Sequence, residues 1–153
     1  MWEQLELPGI SGPVCGITFP RGNVLLVLTR GGLVRVALSP VEVRAVADVD
    51  ALAAMYDTPS GWLTWDGERH LVYGPDGGDI TACDHPNGDR LVMDDDGTLL
   101  ITDPNEREVR QRLASVRRPV AGSWMFAGFS DDYRWLVAGG PGGVSVFRHA
   151  PDC

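Results

Sequence analysis

Residues Asp131–Phe147 read DDYRWLVAGGPGGVSVF, an apolar segment followed by a glycine-rich turn and a second apolar segment. The first apolar segment is Trp135–Ala138, and apolar residues return from Val144 onward. Between them, four of the five residues of Gly139–Gly143 are glycine. Glycine reaches positive φ without a steric penalty, as tight hairpin turns require. The stretch therefore predicts a β-hairpin.

The same pattern occurs three more times along the chain. Each copy has a glycine-containing turn between two apolar segments, and the copies span Leu25–Val36, Leu71–Ala82 and Leu91–Ile101. Val24–Leu28 is apolar throughout, as expected of a strand that is covered on both faces. Together with other short apolar segments bounded by turn residues, these copies predict an all-β antiparallel meander.

The spacing of the copies indicates an internal duplication. The final glycines of the four turns are 46, 19 and 46 residues apart, and they are Gly32, Gly78, Gly97 and Gly143. A shift of 65 residues places Asp66–Gly78 on Asp131–Gly143, and seven of these thirteen positions are identical. We therefore predict a single domain over residues 1–153 that contains two repeats, residues 14–78 and 79–143.

The shift also makes specific predictions about the interior. Leu71 and Leu136 are equivalent under it, and we expect both to be buried, so that aspartate at either position unfolds the domain. The largest apolar side chains serve either core packing or an aromatic binding face, and they are Trp62, Trp65, Trp124 and Trp135.

Two segments are compatible with either a strand or a helix. Val41–Val46 alternates like a strand but follows a capping box, and Glu106–Val116 also keeps helical spacing. We prefer an outer strand for both, because a meander provides a neighbour that buries them. The segment Asp48–Tyr56 is the best candidate for a short helix.

The stretch Ser123–Arg148 resembles a blade of a WD40-type β-propeller. The likeness lies in an aromatic strand, a Ser-Asp-Asp turn, an apolar strand, a glycine turn and a Val-Ser-Val-Phe segment. Phe147-Arg148 stands where such blades have Trp-Asp. The resemblance implies four-stranded sheets arranged radially, with loops that bind partners.

About fourteen predicted strands would make three to four blades, and a closed barrel or a two-sheet sandwich is the alternative architecture. The segment Trp2–Leu7 either closes the ring beside Val144–His149 or leaves an edge that pairs with another subunit.

Composition disfavours several classes of partner. The formal charge is -8, which disfavours nucleic acid and anionic membranes as ligands. No apolar run approaches the roughly 20 residues that span a bilayer, and no secretory signal is predicted. Cys15, Cys83 and Cys153 form no CxxC motif, so neither a disulfide framework nor a cysteine zinc site is indicated. We expect a cytoplasmic protein.

Two groups of residues have the chemistry of metal ligands. Asp94, Asp95 and Asp96 could offer carboxylates to Ca²⁺, but aspartate is also common in hairpin turns. The second group is His70, Cys83, Asp84 and His85, which we interpret as polar residues at strand ends. The prediction is that the protein binds no metal and no cofactor.

No GxSxG or HExxH motif is present, and no catalytic residues are predicted. We therefore predict a non-catalytic protein-interaction module that binds a basic protein partner and self-associates through an open sheet edge. The candidate partner-binding residues are Trp62, Trp65, Asp76, Asp95, Trp124 and Trp135. The alternatives are a small hydrolase or lactonase-like propeller enzyme and an acidic inhibitor or immunity protein that masks a basic partner.

Overall fold

A computed structural model of the chain describes residues 2–7, 10, 14–57, 59–73, 80–94, 98–115, 126–140 and 143–149. These residues form fifteen strands and one short helix. In chain order they are β1 (Trp2–Leu5), β2 (Val14–Thr18), β3 (Val24–Thr29), β4 (Gly32–Leu38), β5 (Val41–Ala47), α1 (Val49–Met55), β6 (Tyr56–Asp57), β7 (Trp62–Trp65), β8 (Glu68–Tyr73), β9 (Ile80–Ala82), β10 (Arg90–Met93), β11 (Thr98–Thr102), β12 (Val109–Ser115), β13 (Phe126–Phe129), β14 (Trp135–Gly140) and β15 (Gly143–His149).

The strands form three sheets. A curled seven-stranded sheet has the order β5-β4-β3-β2-β8-β7-β6, a five-stranded sheet the order β1-β15-β14-β13-β9, and a three-stranded sheet the order β10-β11-β12. Among the described strands, all pairings are antiparallel except that of β9 with β13. The predicted all-β antiparallel fold class is confirmed.

Three hydrophobic cores hold the sheets and the helix together as stacked layers. The helix-side core lies between α1 and the seven-stranded sheet and contains Leu26, Leu28, Leu33 and Leu63. The central core joins the seven-stranded and five-stranded sheets and includes Val14, Ile17, Leu25, Val27, Trp135 and Val137. The outer core joins the five-stranded and three-stranded sheets and includes Trp2, Leu91, Leu99, Ile101, Leu136 and Ala138.

Four of the described strands, β3, β4, β14 and β15, each contribute buried residues to two cores. The pattern is clearest in β3 and β14. In β3, Leu25 points into the central core and the next residue, Leu26, into the helix-side core. In β14, Trp135 points into the central core and Leu136 into the outer core. Successive side chains of a strand face opposite sides of the sheet, so an uninterrupted apolar sequence is what a strand covered on both faces needs.

Both ambiguous segments are strands, as preferred from the sequence. β5 pairs with β4, and β12 pairs with β11. Asp103 caps the loop before β12, because its Oδ1 accepts the backbone N–H groups of Arg107 and Glu108. The expected short helix is α1, whose N-cap Asp48 accepts the N–H of Ala51. Within the described ranges, no helix combines the length and hydrophobicity that a membrane crossing needs.

Three of the four predicted hairpins are present, namely β3–β4, β10–β11 and β14–β15. The fourth prediction is wrong, since β9 does not return beside β8 but pairs in parallel with β13. Both edges of β8 are already occupied, one by β7 and the other by β2. A strand with two neighbours has no free ladder of backbone groups for a third.

The burial predicted for Leu71 is also wrong. Leu136 is 0% exposed in the outer core, whereas Leu71 is 40% exposed. The three-stranded sheet covers the face of β14 that carries Leu136, and no described sheet covers the matching face of β8. The meander β3–β4–β5 has a counterpart in β10–β11–β12 about 65 residues later. The internal duplication itself remains a prediction.

The turns of the two equivalent hairpins differ in length. Between β7 and β8, Asp66 and Gly67 have φ of 51° and 75° and form a two-residue turn of the type that suits hairpins. Between β13 and β14, four residues connect Ser130 to Trp135, whose backbones pair at 2.8 Å. The longer turn shifts the register of its hairpin by two residues relative to the shorter one.

The longer turn is braced by hydrogen bonds. Asp132 accepts the hydroxyl of Ser130 at 2.7 Å and the backbone N–H of Arg134 at 3.2 Å. The backbone N–H of Trp135 in turn donates to Ser130 Oγ at 3.1 Å. Burial would raise the pKa of Asp132, but the hydrogen bonds from Ser130 and Arg134 outweigh it and lower the pKa below its ordinary value. The ionised carboxylate therefore holds the turn in shape.

The first strand pairs with the last, as one of the two sequence alternatives proposed. In β1, Trp2 lies opposite His149 and Leu5 opposite Val146. Trp2 is 3% exposed, and its backbone N–H and C=O both bond to the side-chain amide of Gln111, at 2.8 and 2.7 Å. These two bonds connect β1 of the five-stranded sheet to β12 of the three-stranded sheet.

Candidate functional site

A small cavity opens where β2 and β8 diverge. The two strands pair only at Ile17–Tyr73 and Thr18–Val72, after which the chain leaves β2 for the connection to β3. The cavity has a volume of about 150 Å³. We call it the His70 pocket, and its walls include Phe19, Arg21, Trp62, His70, Tyr73 and Asp131.

The imidazole of His70 is the unusual group of this pocket. His70 is 9% exposed, and its Nε2 atom is buried with no hydrogen-bond partner among the described residues. Burial, and then the charge of Arg21, lower the pKa of His70 below 6.5, while Glu68 opposes them. The side chain is therefore neutral at pH 7. An unpaired buried polar atom is rare in folded proteins and calls for an explanation.

The charged side chains of the pocket differ in how they are paired. Arg21 lies 3.4 Å from Glu68 and also donates to the backbone carbonyl of Arg69. Asp131 is exposed and forms no ion pair with the residues that the structure describes. Burial, and then the charge of Asp131, raise the pKa of Tyr73 above its ordinary value. Asp131 therefore acts electrostatically on the interior of the pocket.

An aromatic and aliphatic surface adjoins the pocket. Trp62 is half-buried and lies directly opposite Leu71 in the β7–β8 ladder. The guanidinium carbon of Arg69 lies 4.5 Å from the centroid of the Trp62 ring, which is a cation–π contact. The surface thus has an aromatic ring, an exposed leucine and a pocket side by side.

The structure places the predicted partner-binding residues in different environments. Trp62 lines the His70 pocket, and Trp65 packs against the helix-side core. Trp135 is 3% exposed in the central core, with its indole N–H donating to the carbonyl of Gly22 at 3.0 Å, so it does not belong to an exposed binding face. The other three candidates lie outside the described residues, and they are Asp76, Asp95 and Trp124.

The side chains that could bind a metal do not come together within the described part of the structure. Asp94 Oδ1 accepts the backbone N–H of Thr98 at 2.9 Å, which is the turn role, and residues 95 and 96 lie outside the described ranges. Within those ranges, no three His, Cys, Asp or Glu side chains are grouped as metal ligands would be. Asp84 lies 3.6 Å from Arg90, with which it forms an ion pair.

A second aromatic cluster surrounds Trp2, whose ring contacts those of His85, Phe129 and His149 at centroid distances of 4.9–5.4 Å. His85 uses both of its ring nitrogens. Nε2 donates to the carbonyl of Tyr133 at 3.0 Å, and Nδ1 accepts the backbone N–H of Asn87 at 3.2 Å. These bonds leave no nitrogen of His85 for a ligand, so we assign this cluster a structural role in holding β1.

No family model, curated protein or solved structure matches this chain. The all-β layered fold therefore defines the class of protein, and the resemblance to a WD40-type blade stays a prediction.

Replacing His70 with phenylalanine should stabilise the protein by about 1 kcal/mol, because it removes an unpaired buried polar atom. The pKa of His70 is lower in the folded protein than in the unfolded chain, so the unfolded chain binds the proton more readily. Lowering the pH from about 7 to about 5 should therefore reduce the free energy of unfolding of the wild type. The variant His70→Phe lacks the imidazole and should not lose this contribution. Urea unfolding of both proteins at the two pH values measures the difference. A variant that is less stable than the wild type at pH 7 would show that the imidazole makes a favourable contact.

Proposed function

We propose that this protein is a non-catalytic protein-interaction module whose binding surface is centred on Trp62 and Leu71. The observation that carries the proposal is the apolar surface beside the His70 pocket. Leu71 is 40% exposed on a strand, and Trp62 lies opposite it on the same face. Tryptophan is enriched among the residues that dominate binding energies, and a grouped apolar surface is typical of interfaces.

The size of the pocket favours a protein partner over a cofactor. Sites for drug-sized ligands have volumes of roughly 300–1,000 Å³, and the His70 pocket has about 150 Å³. Such a volume suits a single side chain. An anchor residue of a partner protein, inserted into the pocket beside Trp62, is the occupant that these dimensions support.

The charge of the chain favours a basic partner. A formal charge of -8 attracts positively charged surfaces and speeds their association, and it makes binding weaken as salt rises. An inhibitor that masks a basic protein is one form of this function. The proposal includes a cytoplasmic setting and self-association through a strand at a sheet edge, such as β5.

The test compares two variants that add the same charge to an exposed strand position. Leu71→Arg removes the apolar centre of the proposed surface, and Val109→Arg changes a residue that is 46% exposed on β12. A partner is first isolated with the wild type from the native organism, and its affinity for each purified variant is then measured by calorimetry.

We expect Leu71→Arg to weaken binding at least tenfold and Val109→Arg to leave it within about twofold of the wild type. Circular dichroism and thermal unfolding confirm that both variants are folded. Equal affinity of the two variants would place the interface elsewhere. Turnover of a substrate by the isolated wild type would contradict the non-catalytic role.

A further inference from the structure

We propose that the His70 pocket is a socket for one arginine side chain of the partner protein. In this arrangement Asp131 pairs with the guanidinium group, and the rings of Trp62 and Tyr73 form the walls. The inference rests on the proposed protein-binding function and names the chemical group that the site recognises.

Asp131 supplies the charge that an arginine needs. Its carboxylate is exposed, lines the pocket and has no ion pair with the described residues. The neighbouring Asp132 is already paired with Arg134 at 3.0 Å, so the turn itself does not use Asp131. Carboxylates frequently bind guanidinium groups through two parallel hydrogen bonds, which add both energy and geometric specificity.

The aromatic walls are suited to a planar cation. Phe19 and Tyr73 contact each other edge to face with centroids 5.0 Å apart, and Trp62 completes the aromatic lining. The protein's own Arg69 already lies over the Trp62 ring. This intramolecular contact shows that a guanidinium group packs against one face of this ring.

Two cations of the protein already lie near the pocket, Arg21 in its wall and Arg69 over the Trp62 ring. Arg21 lies 3.4 Å from Glu68, whose charge partly offsets its own, and it donates to the carbonyl of Arg69. The imidazole of His70 is uncharged at neutral pH, so it adds no positive charge that would repel a guanidinium group.

The experiment titrates the isotope-labelled protein with Nα-acetyl-arginine amide and follows the amide and indole resonances by NMR. The control ligand is Nα-acetyl-citrulline amide, which has nearly the same shape and no charge. The test variant is Asp131→Asn. Its matched control is Asp66→Asn, which changes the aspartate of the equivalent two-residue turn, where asparagine tolerates positive φ.

We expect millimolar binding of the arginine compound, with shifts at Trp62, His70 and Tyr73, and at least fivefold weaker binding of the citrulline compound. Asp131→Asn should lose about tenfold in affinity, and Asp66→Asn should match the wild type. Equal binding of the two compounds, equal binding by Asp131→Asn, or no shifts at tens of millimolar would each overturn the socket.

Leu71 lines the same pocket, but the titration keeps leucine at position 71, so the two experiments can fail separately. If the arginine compound fails to bind while Leu71→Arg still abolishes partner binding, the proposed function stands and the arginine socket is wrong. If the compound binds and Leu71→Arg binds the partner normally, the socket stands as a site for free guanidinium compounds and the proposed interface is wrong.

Discussion

Leu136→Asp should abolish cooperative folding. Leu136 is 0% exposed and packs in the outer core between β14 and the three-stranded sheet. Truncating a buried leucine costs about 2–5 kcal/mol, and an unpaired carboxylate in the same place costs several kcal/mol more. The sum approaches the whole free energy of unfolding of an ordinary domain, about 5–15 kcal/mol. Near-ultraviolet circular dichroism and the dispersion of the NMR spectrum measure the loss.

Leu71→Asp is the control for this prediction, because it makes the same change at the position that a 65-residue shift relates to Leu136. Leu71 is 40% exposed, so its aspartate remains in water. We expect a folded protein that is destabilised by about 1–2 kcal/mol. If both variants unfold, the face of β8 is covered and the exposed surface proposed for binding does not exist.

Gly32→Ala should cost at least about 3 kcal/mol. Gly32 has a φ of +126°, which side chains other than glycine rarely adopt, and a Cβ atom there would lie 2.1 Å from the carbonyl oxygen of Ala47. That atom belongs to the backbone of β5, so relief requires the β4–β5 pairing to move. Urea unfolding of the variant and the wild type measures the difference in free energy.

The adjacent glycine provides the control. In Gly31→Ala the new Cβ atom would meet nothing closer than Thr29 Oγ1 at 3.7 Å, which is an ordinary contact. We expect its stability to stay within about 1 kcal/mol of the wild type. Equal stability of Gly31→Ala and Gly32→Ala would contradict the close approach of β5 to the start of β4.

The sequence predicts the strands of this fold well and their neighbours less well. The apolar pattern identifies β3 and β14 as strands covered on both faces, and the glycine turns identify three hairpins. The position of β9 is not predictable in this way, because it depends on whether β8 still has a free edge. The exposure of Leu71 is not predictable either, since it depends on whether another element packs on that face of β8. Both are tertiary effects, and local periodicity does not contain them.

The candidate site is also only partly predictable from the sequence. The sequence identifies some of its residues by type: Trp62 is an aromatic residue, His70 a candidate metal ligand and Asp131 an aspartate in a predicted turn. Nothing in the sequence places them together, because His70 and Asp131 lie 61 positions apart. His70 is on β8 of the seven-stranded sheet and Asp131 precedes β14 of the five-stranded sheet, so the packing of the two sheets brings them together. Arg21, Phe19 and Tyr73 have no distinctive local pattern. They enter the site because β2 and β8 separate after two paired positions.

The hydrogen bonds that hold the Ser130–Trp135 turn affect the conformational entropy that is lost when a partner binds. Asp131 extends from a loop whose next residue is held by Ser130 and Arg134, and Trp135, at the other end, is fixed in the central core. A carboxylate presented on so stiff a support would give up little conformational entropy when a cation docks. Most of the ordering cost of the encounter would then fall on the incoming side chain.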